Sequence, residues 1–183
     1  MTGGQRAGGR PGTACVTAYV GLGANLGDRL EHLRQARRLL AELPGCRLLA
    51  ASHIYETAPV GPLPQPDYLN AVLALETGLP ARELLGALQA VERRLGRERA
   101  LCWGPRLIDC DLLLLARDVI YEAGLRVPHP ELARRAFALA PLLDLAPALR
   151  HPETGVPLAA YLDRVRGQGV RWQMIRRMEG VRW

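Results

Sequence analysis

The alternation of apolar and polar positions divides the chain into predicted strands and helices. Residues 17–23 form a short apolar run next to glycine, which is typical of a buried strand. Leucines recur at helical spacing from Asp28 to Leu43, and the Asp28 side chain is suited to capping the start of that helix. Residues 46–57 are predicted to form another strand. Residues 58–67 hold four prolines and a glycine, which predicts a loop of a length that is often functional.

The same reading continues through the rest of the chain. Residues 68–77 alternate between two faces: Leu69, Ala71, Leu73 and Leu75 lie on one, and Tyr68, Asn70 and Val72 on the other. A second amphipathic helix is predicted from Ala81 to Leu95, and the arginine-rich residues 96–106 are predicted to be irregular. The remaining predicted elements are a strand at 108–115, a further strand ending at Val127, and helices within 128–148 and 157–166.

The order β-α-β-β-α-β predicts an α/β fold of the α+β type. It is typical of a ferredoxin-like core, in which helices cover a mostly antiparallel sheet. An extra segment with helical and strand character follows at the C-terminus. Residues 1–14 are rich in glycine and arginine without periodicity, and we expect a disordered leader there. One domain is predicted over residues 15–166, and residues 167–183 form a basic tail without an assigned structure.

Composition excludes two classes of chemistry. The net charge is +6, and every basic residue is arginine, because the chain contains no lysine. A Walker A phosphate loop needs a lysine, and Schiff-base catalysis needs a lysine amine. Serine occurs once, at Ser52, which disfavours a serine hydrolase. The positive charge by itself is also compatible with nucleic-acid binding.

Cysteine spacing and hydropathy indicate the compartment. The cysteines at 15, 46, 102 and 110 form no CxxC pair and suit no common zinc site, so reduced, mostly buried thiols are expected. No apolar stretch approaches the length of a membrane helix, and no apolar run follows Arg6 and Arg10 as it would in a signal peptide. We therefore expect a cytoplasmic protein.

The candidate chemistry is concentrated in residues 103–111, with the sequence WGPRLIDCD. Residues two apart in a strand share a face, so Asp109 and Asp111 project together, roughly 7 Å apart. Ile108, Cys110, Leu112 and Leu114 are expected to project from the opposite face of the strand into the core. Two adjacent carboxylates repel each other, and a divalent cation such as Mg²⁺ relieves that repulsion. Spacing alone leaves open whether they bind a metal or are two solvated acids.

Arginines near the acids add a second signal. Arg97, Arg99 and Arg106 lie on or beside the irregular segment that precedes Asp109. Guanidinium groups match phosphate oxygens in a bidentate manner, and acids that hold Mg²⁺ beside such groups are typical of phosphoryl transfer. A solvated arginine-rich loop is the alternative.

Three blocks of sequence are more specific than any of these patterns. They are YETAPVGPLPQPDYLNAVLALET at 55–77, ERRLGRERALCWGPRLIDCDLLL at 92–114 and VPHPELARRAF at 127–137. Together they resemble the 6-hydroxymethyl-7,8-dihydropterin pyrophosphokinases of folate biosynthesis, and the resemblance runs from about residue 19 to residue 165. It implies transfer of pyrophosphate from ATP, the co-substrate, to the pterin hydroxyl, with release of AMP and a requirement for two Mg²⁺ ions.

The resemblance also implies roles by position. Asp109 and Asp111 match the metal ligands, and they form the implied catalytic group together with Arg97 and Arg99, which match arginines on a mobile loop. The implied ATP-binding residues are Gln89, Glu92, Arg97, Arg99, Trp103, Arg106, His129 and Arg135. The implied pterin pocket consists of Thr57, Ala58, Val60, Tyr68, Asn70 and Phe137. The expected partners are these small molecules alone, with no nucleic acid and no membrane, and the protein is expected to be a monomer.

Three other interpretations remain at this point. Ferredoxin-like sheets also bind RNA, but through an aromatic cluster that a chain with one phenylalanine does not supply. A nucleotidyltransferase with a paired-aspartate site would release pyrophosphate instead of AMP. An inactive relative would serve as a binding protein, although the acids and arginines that it would not need are present.

Overall fold

The computed structural model describes residues 14–59, 64–96, 105–169, 174–181 and 183. Strands and helices alternate over most of this length, as the hydrophobic pattern predicts. The strands are β1 (Val16–Ala24), β2 (Cys46–Ala51), β3 (Tyr55–Thr57), β4 (Tyr68–Thr77), β5 (Asp109–Leu115), β6 (Ile120–Glu122), β7 (Leu125–Val127) and β8 (Ile175–Arg177). The helices are α1 (Arg29–Ala41), α2 (Ala81–Arg94), α3 (Ala136–Leu145) and α4 (Leu158–Arg166), with a short 3₁₀ turn at Leu132–Arg134.

The main sheet has six strands and is antiparallel throughout its pairings. Its order is β5-β1-β4-β3-β8, and β2 also pairs with β4. Strand β1 is therefore central, with β4 on one side and β5 on the other. The predicted mixed fold with an antiparallel sheet covered by helices is confirmed, and β6 and β7 form a separate hairpin.

Apolar side chains form one cluster on each face of the sheet. The first cluster packs under α1 and α2, and the second packs under α3 and α4. The predicted alternation along β4 is confirmed, because its leucines belong to the first cluster and Val72 to the second. Burial on both sides fixes the register of β4, since a shift of one residue would exchange its two faces. Within the described part of the chain, no helix is long and apolar enough to cross a bilayer.

The predicted strand 46–57 is in fact two strands, β2 and β3, which pair with different parts of β4. The break lies at Ser52, whose backbone N–H donates to the Val72 carbonyl at 2.9 Å. The Val72 N–H donates in turn to the Ser52 hydroxyl at 2.9 Å. A side chain thus replaces a backbone acceptor of the ladder, and the strand is interrupted without leaving the Val72 N–H unsatisfied.

The face predicted for Leu114 was wrong, because β5 contains a bulge. Tyr19 pairs with Leu114 and Val20 with Leu112, so Leu113 is an extra residue on β5. Leu114 packs with the cluster under α3 and α4, on the opposite face from Leu112. The strand predicted to end at Val127 also differs, since it is the hairpin of β6 and β7 with Gly124 at a φ of 72° in its turn.

The C-terminal segment, which had no assigned structure, contributes β8 to the sheet edge. Ile175 pairs with Thr57 and Arg177 with Tyr55. Beyond β8, the Trp183 indole N–H donates to the Ser52 carbonyl at 2.9 Å. The sequence did not predict β8, because a strand of three residues is too short to show a periodic pattern of apolar positions.

Candidate active site

A hollow opens on one face of the sheet because the central strand has glycines there. Gly23 of β1 lies between Asn70 of β4 and Asp109 of β5, and Gly21 lies between Val72 and Asp111. Directly opposed residues in antiparallel strands point to the same face. Each pair of flanking side chains is therefore separated by a position without a side chain.

The hollow is a cavity of about 410 Å³. Both acids line it, as do most of the residues that the resemblance implied. These are Thr57, Ala58, Tyr68, Asn70, Arg106, Asp109, Asp111, His129, Arg135 and Phe137. The expectation that the two carboxylates share a face agrees with this placement, and residues that are distant in sequence meet at one site.

The acidic side of the cavity is ordered by an arginine. Arg106 Nη1 lies 3.1 Å from both carboxylate oxygens of Asp109, and the two side chains are about three-quarters buried. This charge-assisted contact fixes the Asp109 carboxylate next to a cationic group that phosphate oxygens also favour. Arg134 and Arg135 line the same cavity from the segment before α3.

The opposite side of the cavity carries a buried amide. Asn70 and Thr57 are both nearly inaccessible to solvent, and the Asn70 amide donates to the Thr57 hydroxyl at 2.8 Å. Phe137 is half-buried nearby, with the Arg135 guanidinium 5.6 Å from its ring centre. Burial raises the pKa of Tyr68, which therefore stays a neutral phenol at physiological pH. A flat ring with hydrogen-bonding edges fits these surroundings.

His129 enters the cavity as a neutral imidazole. The Glu131 N–H donates to His129 Nδ1 at 3.1 Å, so the ring proton lies on Nε2. Desolvation, followed by the positive charge of Arg135, lowers the pKa of His129 to about 4. The ring is therefore a hydrogen-bond donor at neutral pH without being a cation.

This shift predicts a dependence of stability on pH. The folded-state pKa of His129 is below its ordinary value, so the unfolded chain binds the proton first as the pH falls. The contribution of neutral His129 to the unfolding free energy is complete above about pH 6.5 and is lost as the pH falls towards about 4. Between pH 7.5 and 4.5, the wild-type protein should lose about 2 kcal/mol more unfolding free energy than His129→Gln. Urea denaturation at both pH values measures this difference, and equal losses would show that His129 is not held neutral.

Glu92 and Gln89 lie on α2 behind β5. Glu92 is 4% exposed, and its Oε1 accepts the Cys110 N–H at 2.7 Å. Cys110 stands between the two aspartates, so Glu92 supports the strand that carries them. Gln89 is exposed on α2. Neither Gln89 nor Glu92 is among the described residues that line the cavity. The implied ATP contacts of these two residues stay predictions, and Val60, Arg97, Arg99 and Trp103 lie outside the described residues.

Sequence reasoning missed several residues that line the cavity. Glu131 and Arg134 lie in the third sequence block, which contained the only signal that could have found them. Gln65 lies in the proline-rich loop, whose conformation leaves no periodic trace in a single sequence. Leu113 follows Asp109 and Asp111 at two-residue spacing along β5, and that spacing was the signal that could have placed it at the cavity.

Paired carboxylates and arginines around one cavity, on an antiparallel sheet covered by helices, are typical of an enzyme that transfers phosphoryl groups. Residues 19–147 match the sequence profile of the 7,8-dihydro-6-hydroxymethylpterin-pyrophosphokinases. The chain belongs to this family, and it is an ATP-dependent pyrophosphokinase.

Relatives of similar length support the match. The chain is 46% identical over 135 residues to the 2-amino-4-hydroxy-6-hydroxymethyldihydropteridine pyrophosphokinase of Pseudomonas aeruginosa, covering 74% of this chain and 83% of that protein. It is 44% identical over 128 residues to the Bacillus subtilis enzyme of the same name, covering 70% of this chain and 77% of that protein.

Longer proteins contain the same unit. The chain is 41% identical over 155 residues to the folic acid synthesis protein fol1 of Schizosaccharomyces pombe, covering 84% of this chain but only 21% of that protein. The solved HPPK-DHPS triple mutant of Plasmodium falciparum superposes with a TM-score of 0.70 at 15% identity, covering 90% of this chain and 48% of that chain. At that identity the likeness shows the fold alone.

Proposed function

We propose that the cavity is the site at which this chain transfers pyrophosphate from ATP to 6-hydroxymethyl-7,8-dihydropterin, with two Mg²⁺ ions held by Asp109 and Asp111. Family membership makes the reaction pyrophosphoryl transfer within folate biosynthesis. The observation that carries the proposed roles is the row Asp109–Gly23–Asn70 across three strands. This row sets the acids on one side of the cavity and the buried amide on the other.

The donor set fits magnesium. Among the described residues, no three His, Cys, Asp or Glu side chains cluster to hold one metal ion. Mg²⁺ does not require such a cluster, because it is usually held by one or two carboxylates together with water and substrate phosphates. Asp109 and Asp111 on one strand face, beside a floor of glycines, supply such a pair with room for phosphates. When bound, Mg²⁺ neutralises charge on the transferred group.

The chain's own cationic and neutral donors complete the ATP side. Arg106 is positioned to share its guanidinium between Asp109 and a phosphate oxygen, since Arg106 lines the cavity and one of its nitrogens contacts both oxygens of that acid. Neutral His129 offers its Nε2–H to a phosphate oxygen without adding charge. Arg135 adds a second guanidinium on the side of Phe137.

The pterin side positions the attacking hydroxyl. The Asn70 amide donates and accepts along the edge of a pterin ring, and Phe137 offers a flat apolar surface to the ring face. Holding the ring here directs its hydroxymethyl group towards the acids across Gly23. The hydroxyl oxygen then attacks the β-phosphorus and releases its proton, while the bond from that phosphorus to the bridging oxygen breaks and AMP leaves with that oxygen. Positioning of two bound reactants supplies much of the rate enhancement in such a reaction.

Gly23→Ala tests the pterin slot. A Cβ at Gly23 would lie 3.2 Å from Asn70 Oδ1 and 3.7 Å from Tyr68 Cδ1, so the amide must shift. We expect KM for the pterin to rise about tenfold, because displacing one hydrogen-bonding group costs on the order of 1.4 kcal/mol. KM for ATP should stay within about twofold, since the new methyl group meets the amide and not the acids. Steady-state kinetics with each substrate varied in turn measures both values.

Gly86→Ala is the matched control for that substitution. Gly86 is exposed in α2 and a Cβ there meets nothing within 4 Å. Its kinetics should equal those of the wild type, and its stability should increase slightly because alanine favours a helix. An unchanged KM for the pterin in Gly23→Ala would contradict the proposal that the pterin binds beside Asn70.

A further inference from the structure

Asn25 occupies a position that reaches both sides of the cavity. It follows Ala24, the last residue of β1, and is 1% exposed. Strands β4 and β5 flank β1 and both run antiparallel to it, so both begin where β1 ends. The segments that lead into β4 and β5 therefore approach Asn25 from opposite sides.

Four hydrogen bonds join Asn25 to these two segments. On the β5 side, the Arg106 N–H donates to Asn25 Oδ1 at 2.7 Å, and the Asn25 N–H donates to the Arg106 carbonyl at 3.1 Å. On the β4 side, Asn25 Nδ2 donates to Gln65 Oε1 at 3.0 Å and to the Pro66 carbonyl at 3.2 Å. The buried amide thus bridges two loops, at Pro66 and at Arg106, that are about forty residues apart in sequence.

The partners fix the orientation of the Asn25 amide. A backbone N–H can only donate, so the atom facing Arg106 must be the oxygen. A proline carbonyl can only accept, so the atom facing Pro66 must be the nitrogen. Asparagine satisfies both conditions. Aspartate, which has nearly the same shape, would place a carboxylate oxygen against the Pro66 carbonyl.

Both segments that Asn25 joins belong to the cavity wall. Gln65 lines the cavity from the β4 side and Arg106 lines it from the β5 side, where Arg106 also contacts Asp109. Asn25 itself is not among the described residues that line the cavity. Its effect on the site must therefore pass through these neighbours.

We propose that Asn25 is a positioning residue that sets the separation between the two sides of the cavity, and so aligns the pterin hydroxyl with the transferred phosphorus. The inference rests on the proposed function. Each side of the cavity can bind its own substrate when the bridge is broken, because the pterin and ATP contacts are made by other residues. Alignment of the two substrates depends on the bridge, and a displacement of about 1 Å can cost about a hundredfold in rate.

Asn25→Asp separates alignment from binding. It keeps the acceptor for the Arg106 N–H and removes the donor to Gln65 and Pro66, so only the β4 side is released. We expect kcat to fall about ten- to a hundredfold. KM for each substrate should stay within about threefold, because the ligand contacts remain. Gln65→Ala removes one of the four hydrogen bonds and should lower kcat by less than about fivefold.

Two further measurements exclude a general loss of structure. Kinetics should be taken well below the thermal midpoint of each variant, so that the folded fraction is the same. Calorimetric titration with 6-hydroxymethylpterin and, separately, with a non-hydrolysable ATP analogue plus Mg²⁺ should give dissociation constants within about threefold of wild type. Unchanged kcat in folded Asn25→Asp would overturn the proposal, and so would a loss of binding that accounts for the whole effect. A wild-type protein that released no AMP would instead overturn the proposed function.

Discussion

Replacing Asp109 or Asp111 by alanine is expected to lower the rate of AMP formation by about a thousandfold or more and to leave the fold intact. Both side chains face the cavity and not the core, so their removal leaves no buried void. Removal of one acid weakens the proposed binding site for Mg²⁺, the cation that offsets the charge of the ATP phosphates. The loss should appear in kcat at saturating ATP and Mg²⁺.

Matched variants separate charge from shape. Asp109→Asn and Asp111→Asn keep the side-chain volume and remove the negative charge, and we expect them to be nearly as inactive as the alanine variants. Asp118→Ala serves as the control, since Asp118 is an exposed acid shortly after β5 and outside the cavity. Its rate should equal that of the wild type. Activity near the wild-type rate in either alanine variant at the paired acids would exclude them as the metal site.

Glu92→Ala is expected to reduce both stability and turnover. Its Oε1 accepts the Cys110 N–H at 2.7 Å in a buried setting, and alanine would leave that donor unsatisfied. The cost should be about 1–3 kcal/mol of unfolding free energy. Because Cys110 lies between the two aspartates, kcat should also fall, by about tenfold or more, when β5 shifts. Chemical denaturation and steady-state kinetics measure the two effects.

Glu92→Gln distinguishes support of β5 from a contact with ATP. The glutamine carbonyl can accept the same N–H with nearly the same geometry. If support of β5 is the role of Glu92, stability and kcat should both stay close to wild type. A stable Glu92→Gln protein with a strongly raised KM for ATP would contradict this, and would favour the ATP-binding role that the family resemblance implies.

The parts of the fold that were predictable are those with a repeating pattern. Residues 68–77 alternate without interruption, and β4 has that register. Leucine spacing likewise placed α1 and α2. The failures occurred where a single local contact overrides the pattern. The Ser52 hydroxyl replaces a backbone acceptor and splits one predicted strand, and the extra residue Leu113 reverses the face of Leu114.

The candidate site likewise contains features that the sequence predicted and features that depend on contacts between distant segments. The spacing of Asp109 and Asp111 predicted their shared face, and the family resemblance identified residues at the cavity such as Asn70. The role of the glycines in β1 was not visible, because it depends on which strands lie beside them. Gly23 becomes important only once β4 and β5 are known to flank it. Contacts between distant segments, such as those of Asn25, are fixed by topology and have no signature in local sequence.

Analysis of the nucleotide products tests the proposed reaction most directly. The purified protein would be incubated with ATP, Mg²⁺ and 6-hydroxymethyl-7,8-dihydropterin, and the nucleotides separated, with parallel reactions lacking pterin or Mg²⁺. We expect AMP, formed only when both pterin and Mg²⁺ are present, together with a pterin that carries two phosphates. Formation of ADP, or release of free pyrophosphate that depends on the pterin, would contradict pyrophosphoryl transfer.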